Sequence, residues 1–303
     1  MDNDKIGDVC DDDMDGDNLK NENDNCPSVI NPGQENFDND SEGDVCDDDD
    51  DNDKVPDDKD MDPLNNLVPG TAKHGMVYAH TDAELFMFDP DTLQITKVND
   101  FGWPNDDGGH QMTDIAIDQW GVLYGITFDR LYVCSAITAD CTFLATLPTE
   151  FNGMTLVPKG TVDPVNETLI GIGEDGSWNR IDVKGTMATI TQIGYYGSGY
   201  SSSGDAYSLE GIGTFASVKG LWEDNGDIIV KVNPVNGNVL QEIVTVAGYT
   251  SLYGLAGWGS KAFGFDSSGA VLLIDLTKGT YKEVVNVFKG ESWWGAGVTT
   301  RYQ

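Results

Sequence analysis

The chain has 303 residues, of which 39% are hydrophobic, so it is long enough to bury at least one sizeable core. It carries 52 acidic and 17 basic residues, which gives a net charge of −35. This charge excludes nucleic acid and anionic lipid as natural partners, because their approach would bring like charges together, and it favours cations.

The acidic residues are concentrated at the N-terminus, where residues 1–63 contain 25 Asp and Glu residues against 4 Lys. The motif GDVCDDD at residues 7–13 returns as GDVCDDDD at residues 43–50. No run of about 18 apolar residues, the length of a membrane-spanning helix, occurs anywhere in the chain. Met1 is followed by Asp2 and not by a basic region, so we interpret the chain as the C-terminal part of a longer one.

The spacing of these acids predicts calcium-binding loops, and the competing interpretation is a disordered acidic tail. Three windows place carboxylates or amides at their first, third, fifth, ninth and twelfth positions. Side chains at such positions can surround Ca²⁺, which takes roughly six to eight oxygen ligands. The candidate ligands are Asp13, Asp15, Asp17, Asn21, Asp24, Asn36, Asp38, Asp40, Asp44, Asp47, Asp49, Asp51, Asp53, Asp57 and Asp60.

The sixth position of such a loop turns sharply and favours glycine or asparagine. Here it holds Asn18, Ser41 and Lys54, so we expect weaker or distorted second and third loops. Residues between the candidate ligands are polar or small and cannot build an apolar core. The fold of residues 1–63 is therefore expected to depend on bound metal.

Residues 1–63 resemble thrombospondin type 3 repeats. The stretch DNCPSVINPGQENFDNDSEGDVCD at residues 24–47 carries the DNCP start, the NPxQ turn and the GDxCD finish of that family. The resemblance implies a chain wound around several calcium ions, with the residues above as ligands and a disulfide between Cys26 and Cys46. It leaves Cys10 without a partner, and it ends the array where Asp62 replaces a cysteine.

A linker at residues 64–75 separates this segment from residues 76–303, whose composition and frequent turns predict an all-β domain. A strand–turn–strand pattern recurs about every 40 residues. The five predicted hairpins span residues 84–98, 130–144, 177–193, 228–244 and 271–285. A further strand precedes each hairpin, at MVYAH, VLYGI, TLIGI, VKGLW and KAFGF.

An apolar, glycine-rich innermost strand is predicted for four of the five units, at residues 113–118, 153–157, 209–215 and 252–257. The first unit lacks one, and WGAGVTT at residues 294–300 supplies it. The prediction is a five-bladed β-propeller whose C-terminal strand closes the first blade, since closure removes the exposed sheet edge. These residues resemble extracellular bacterial propellers with LYxID-like blades, a widely shared motif that implies no particular activity.

Two long links between predicted strands, residues 99–111 and 194–207, are candidates for ligand contact because long loops are usually functional. The predicted ligand-binding residues are Trp103, His110, Tyr195, Tyr196 and Tyr200. Trp293 and Trp294 are expected near the same rim, and packing between blades is the favoured interpretation for both. Asp114 and Glu210 are expected to begin innermost strands and to line the channel.

Catalytic signals are poor, so no catalytic residue is predicted. His110 near Asp106, Asp107 and Asp114 could form an acid/base or metal group, but a loop histidine beside solvated aspartates is the favoured interpretation. Cys134 and Cys141 flank one hairpin turn in facing positions, which favours a disulfide over a reactive thiol.

Disulfides and modest calcium sites both indicate an extracellular or cell-surface location, where calcium is millimolar. The expected function is adhesion-like: a calcium-stabilised spacer that presents a propeller which binds a glycan or a surface protein. The alternatives are a glycan-cleaving enzyme and a purely structural component of a surface assembly.

Overall fold

The computed structural model describes residues 7, 10–52, 55–57, 60, 63–64, 70–104, 110–220, 225–286 and 292–301. The chain divides into two compact parts, an N-terminal segment (Met1–Pro69) and a β domain (Gly70–Gln303). Within the predicted linker, Ala72 is buried and donates its backbone N–H to the carbonyl of Gly121, so this residue packs with the β domain. Among the described residues, no helix has the length and apolar character that crossing a membrane requires.

The described residues of the N-terminal segment lie almost entirely in turns and include a short 3-10 helix, Asn21–Asn23. Its buried hydrophobic residues, within the described ranges, are Cys26 and Val55. Larger apolar side chains are exposed instead, among them Ile30 and Phe37. So small an apolar core cannot offset the conformational entropy of ordering the chain, and other interactions must stabilise the segment.

The described residues of the β domain form twenty strands, numbered in chain order. Four-stranded groups are formed by β1 (Val77–His80), β2 (Glu84–Phe88), β3 (Ile95–Asp100) with β20 (Gly295–Gly297); by β4 (Asp114–Ile117), β5 (Leu123–Ile126), β6 (Arg130–Cys134), β7 (Cys141–Thr146); by β8 (Gly153–Val157), β9 (Thr168–Ile172), β10 (Ser177–Lys184), β11 (Met187–Tyr195); by β12 (Tyr200–Leu209), β13 (Gly213–Gly220), β14 (Gly226–Val232), β15 (Val239–Ala247); and by β16 (Leu252–Trp258), β17 (Lys261–Asp266), β18 (Ala270–Asp275), β19 (Thr280–Asn286).

Each group is an antiparallel meander, and we call the groups blades 1 to 5 in this order. Blades 2 and 3 are joined into one sheet by a single parallel pairing of Thr146 with Met187. The C-terminal strand β20 pairs with β1, with Ala79 opposite Ala296. The predicted closure of the first blade by the last strand is therefore confirmed.

The innermost strands β20, β4, β8, β12 and β16 form a closed ring. Each of them contacts the next in this order, and β16 contacts β20. One hydrophobic cluster lies between each pair of neighbouring blades, so the core is divided among five interfaces. Trp293 illustrates the packing, since it is 2% exposed and its ring meets those of Phe86 and Phe265 edge-on. The fold is an all-β propeller, as predicted.

The innermost strand of blade 4 was predicted wrongly. The expected strand at 209–215 contains a turn, and the true strand, β12, covers ten residues that the sequence assigned mostly to a long loop. Glu210 lies in that turn, is exposed and forms an ion pair with Arg301, so it does not line the channel. The strand escaped detection because it is rich in polar residues that are buried inside the fold; Ser203, for example, donates to the carboxylate of Asp227.

A buried acid after β4 is expected to make the propeller less stable as pH rises. Burial, reinforced by the charge of Glu167, raises the pKa of Asp118 from 3.8 to about 7. Between these values the folded chain holds a proton that the unfolded chain has released, so the free energy of unfolding falls with rising pH, by at most about 4 kcal/mol.

The variant Asp118→Asn keeps an oxygen that can accept the N–H groups of Trp120 and Val122, which Asp118 accepts at 2.9 Å each. We expect it to be more stable than the wild type at pH 8 and less sensitive to pH between 4 and 8. Denaturant unfolding of the wild type and the variant at pH 4 and pH 8 measures the two stabilities. Equal pH dependence in the two proteins would contradict the prediction.

Candidate calcium sites and a channel-mouth cavity

The three acidic windows share two hydrogen bonds in their described residues. In each, the ninth residue accepts the backbone N–H of the second: Asn21 from Met14 at 3.0 Å, Asp44 from Phe37 at 2.8 Å, and Asp57 from Asp50 at 3.0 Å. The backbone N–H of each ninth residue also donates to the carbonyl that precedes its window. The repeated hydrogen bonds show that the spacing encodes one structural unit used three times.

The donor set of these loops fits a hard cation. Carboxylate oxygens of Asp13, Asp15 and Asp17 lie within 4.8 Å of one another, and so do those of Asp38, Asp40 and Asp47. Buried oxygens without a hydrogen-bond partner remain on Asp15, Asp24 and Asn36, which are all predicted ligands. Burial and then the neighbouring charges raise the pKa of Asp15. A bound Ca²⁺ would supply the missing partner for these oxygens and offset their repulsion.

Positive φ occurs in all three loops at a different position from the one predicted. The fourth position has positive φ in all three loops, at Gly16 (81°), Asn39 (62°) and Asn52 (57°). The sixth position has it at Asn18 (77°), whereas Ser41 is not among the described residues with positive φ. Glycine and asparagine tolerate positive φ, and they occupy the positions that adopt it. Because Ser41 does not adopt positive φ, it does not distort the second loop as the sequence suggested. Lys54 and the predicted ligand Asp53 lie outside the described residues.

Both predicted disulfides are present. Cys26 is bonded to Cys46 in the N-terminal segment, and Cys134 is bonded to Cys141 across the pairing of β6 with β7. Cys10 is exposed and forms no disulfide.

The aromatic residues predicted to bind a ligand make separate local contacts. Trp103 and His110 pack against each other, with ring centroids 5.4 Å apart, and against Tyr132 in blade 2. Their acidic neighbours Asp106 and Asp107 lie outside the described residues.

The three tyrosines have separate environments. Tyr196 is 1% exposed and packs against Trp178, so its proposed contact with a ligand is corrected: the side chain belongs to the core between blades 3 and 4. Tyr195 is 48% exposed, and the hydroxyl of Tyr200 donates to Glu242 at 2.6 Å.

A cavity of about 320 Å³ lies instead at one end of the ring of innermost strands. We call it the channel-mouth cavity. Every blade contributes to it from the start of its innermost strand, and turns between second and third strands together with the end of β13 add the rest. The lining residues are Thr113, Phe128, Asn152, Glu174, Ser202, Ser203, Lys219, Tyr253 and Trp294.

The lining combines aromatic faces with hydrogen-bonding groups. Trp294 is held in place because its backbone N–H donates to the carbonyl of His80 at 2.8 Å. Asn152 has a buried side-chain oxygen without a hydrogen-bond partner. Glu174 and Lys219 are exposed and bring opposite charges. Below the cavity the channel narrows to a space of about 10 Å³ among side chains such as Ile115, Met154 and Tyr207.

The family model of the thrombospondin type 3 repeat matches residues 1–34 and residues 35–66. The N-terminal segment carries thrombospondin type 3 repeats. The predicted resemblance is therefore confirmed, and with it the calcium-binding character of the segment. Such repeats and disulfides are typical of extracellular proteins.

No curated protein matches the chain. Among solved structures, it is similar to one in a nidogen–laminin complex, with 12% identity and a TM-score of 0.46 over 73% of this chain and 97% of that one. A protein of unknown function from Bacteroides thetaiotaomicron gives 14% identity and a TM-score of 0.45 over 77% of this chain and 63% of that one. BamB from Moraxella catarrhalis gives 14% identity and a TM-score of 0.33 over 70% and 58%.

Proposed function

We propose that this is an extracellular, adhesion-like protein in which calcium-loaded repeats hold a propeller that binds a glycan in the channel-mouth cavity. The observation that carries the proposal is the lining of this cavity: aromatic rings together with hydroxyl and amide groups, contributed by all five blades. Aromatic faces fit the apolar C–H faces of a sugar ring, while hydroxyl and amide groups fix its orientation. A cavity of about 320 Å³ lies at the small end of ligand sites and suits a short sugar.

Binding without hydrolysis is the second part of the proposal. Glycoside hydrolysis normally needs two carboxyl groups on either side of the scissile bond. Among the described residues that line the cavity, Glu174 is the one carboxylate. Incubation with the bound glycan should release no product, and turnover that is lost in a Glu174→Gln variant would support the enzyme instead.

The binding site can be tested on the whole chain in millimolar calcium. A glycan screen would identify a ligand, and calorimetry would then compare variants. We expect Trp294→Ala and Tyr253→Ala to weaken binding at least tenfold, about 1.4 kcal/mol or more, because each removes an aromatic face of the cavity.

The matched control is Tyr195→Ala, which removes an exposed aromatic side chain that is not part of the cavity lining. Its binding should equal that of the wild type. Unchanged affinity in both cavity variants, or capture of proteins and no glycan, would refute the proposed site. Unfolding temperatures of all variants should be compared first to show that folding is retained.

A further inference from the structure

The aliphatic hydroxyl side chains that line the channel-mouth cavity donate their hydrogens to the protein. Oγ1 of Thr113 donates to the carbonyl of Ile126 at 3.0 Å, and Oγ of Ser202 donates to the carbonyl of Gly204 at 3.1 Å. A carbonyl oxygen has no hydrogen to give, so the direction of both bonds is fixed. Because each hydroxyl has one hydrogen, these two oxygens can only accept a hydrogen bond from a ligand.

Ser203, the third such hydroxyl, is oriented in the same way. It donates to Oδ2 of Asp227, and this oxygen also accepts the backbone N–H of Leu252 at 2.7 Å. A protonated carboxyl oxygen is a poor acceptor, so the N–H bond marks Oδ2 as the unprotonated oxygen and Ser203 as the donor. Ser203 and Asp227 are 2% and 1% exposed, so water does not compete for this bond.

Two more acceptors line the same cavity. The side-chain oxygen of Asn152 is buried and has no hydrogen-bond partner. Glu174 contributes a carboxylate, which accepts hydrogen bonds and donates none when it is ionised. The polar part of the lining therefore offers a ligand mainly lone pairs, and it best satisfies a group that is rich in hydrogen-bond donors.

A second cavity of about 610 Å³, which we call the lateral cavity, adjoins the first. The two linings share Glu174, Ser202 and Lys219, and the lateral cavity adds Glu150 and Asp175. No ion pair within the described part of the chain includes any of these three carboxylates. Lys219 is the one basic residue of the two described linings, so acidic side chains outnumber basic ones three to one.

We propose that the channel-mouth cavity selects a glycan whose bound sugar carries a free, protonated amino group. The inference rests on the proposed function, glycan binding in this cavity, and names the class of glycan. A protonated amine has three N–H donors and no lone pair, so it complements a lining of acceptors. The excess of carboxylates favours its charge, and the rings of Phe128, Tyr253 and Trp294 offer faces on which a cation is stabilised.

Other sugar substituents fit the same lining less well. Acetylation of the amine removes its charge and adds a carbonyl, which needs a donor that Thr113, Ser202 and Ser203 cannot supply. A sugar acid brings a negative charge towards Glu174 and its acidic neighbours in the lateral cavity. The expected order of affinity is therefore free amine first, then the neutral sugars, and the acidic sugars last.

Calorimetry on the whole chain in millimolar calcium tests this order. The probes are oligomers of glucosamine, of N-acetylglucosamine and of glucose with one common linkage, which differ in one substituent on each ring. A mildly acidic buffer keeps the amine protonated, and added salt screens its general attraction to the acidic chain. We expect the glucosamine oligomer to bind about tenfold or more tightly than either of the others.

Two variants separate the acceptors from the charge. Thr113→Val removes one acceptor at nearly constant shape, and the carbonyl of Ile126 keeps the backbone N–H of residue 113 at 2.8 Å. Glu174→Gln removes one negative charge. Each should reduce the preference for the amine over its acetylated form to about threefold or less. Glu210→Gln is the matched control, since Glu210 is exposed and lines neither cavity, and it should keep the preference.

Trp294→Ala distinguishes binding in the cavity from attraction to the chain as a whole, because it leaves every charge in place. It should lose most of the affinity for the glucosamine oligomer. The inference is overturned if the acetylated or the glucose oligomer binds as tightly as the free amine. It is also overturned if a lysine-rich peptide binds and no amino sugar does.

Failure of the amine preference and failure of the proposed function give different results. Equal binding of the three oligomers that is lost in Trp294→Ala would leave a glycan site in the cavity and refute only the preference. Absence of binding by every glycan would refute both.

Discussion

Chelation of calcium is expected to unfold the N-terminal segment and to leave the propeller folded. The segment has almost no buried apolar side chains in its described part, whereas the propeller has a hydrophobic cluster at each of its five blade interfaces. At millimolar calcium each site of about 10⁻⁴ M affinity contributes roughly 1–2 kcal/mol to folding. The disulfide alone does not stabilise the segment enough for folding, and several such calcium sites together contribute the remaining free energy.

Limited proteolysis and circular dichroism, with and without a chelator, measure this effect. Asp15→Ala should reduce calcium binding and protease resistance, because Asp15 is 3% exposed and shares its cluster with Asp13 and Asp17. Glu22→Ala removes the same charge from an exposed residue outside the ligand positions and should have little effect. A segment that resists protease equally well after complete metal removal would contradict the calcium-dependent fold.

Loss of the Asp205 carboxylate is expected to destabilise the propeller by about 2–6 kcal/mol. The variant Asp205→Ala leaves the N–H groups of Leu255 and Ala296 buried without an acceptor, at roughly 1–3 kcal/mol each. These groups belong to blades 5 and 1, and Asp205 belongs to blade 4, so one side chain connects three blades.

The matched variant Asp205→Asn separates the hydrogen bonds from the charge. Its amide oxygen can accept the same two N–H groups, so we expect a change within about 1 kcal/mol. Denaturant unfolding in millimolar calcium compares the stabilities of the two variants with that of the wild type. Equal losses in the alanine and asparagine variants would show that the hydrogen bonds are not the cause.

The outer parts of the blades could be predicted from the sequence because they follow simple rules. Hairpins such as β2–β3 and β18–β19 pair a mostly buried apolar strand with a mostly exposed polar one around turns that contain Asp, Gly and Thr. The calcium loops were predictable for a similar reason, since a local spacing of carboxylates sets their geometry.

The innermost strands and the cavity were harder to predict because buried polar groups are satisfied by distant partners. Strand β12 resembles a loop in sequence, yet Asp205 is bonded to residues 50 and 91 positions away. The channel-mouth cavity takes residues from all five blades, so no local motif marks it. Likewise His80 of β1 and Asp114 of β4 belong to different blades and approach each other only in the folded domain.

Pairing of β20 with β1 also means that the ring cannot close until the residues of β20 have been synthesised. A product that stops before residue 295 leaves one side of β1 without its neighbour and one fifth of the inner wall missing. The unpaired edge of β1 can then pair with strand β20 of another copy. Only chains that contain β20 can close their own ring, so chains that stop before it are expected to pair, through the exposed edge of β1, with the C-terminal strand of an intact copy.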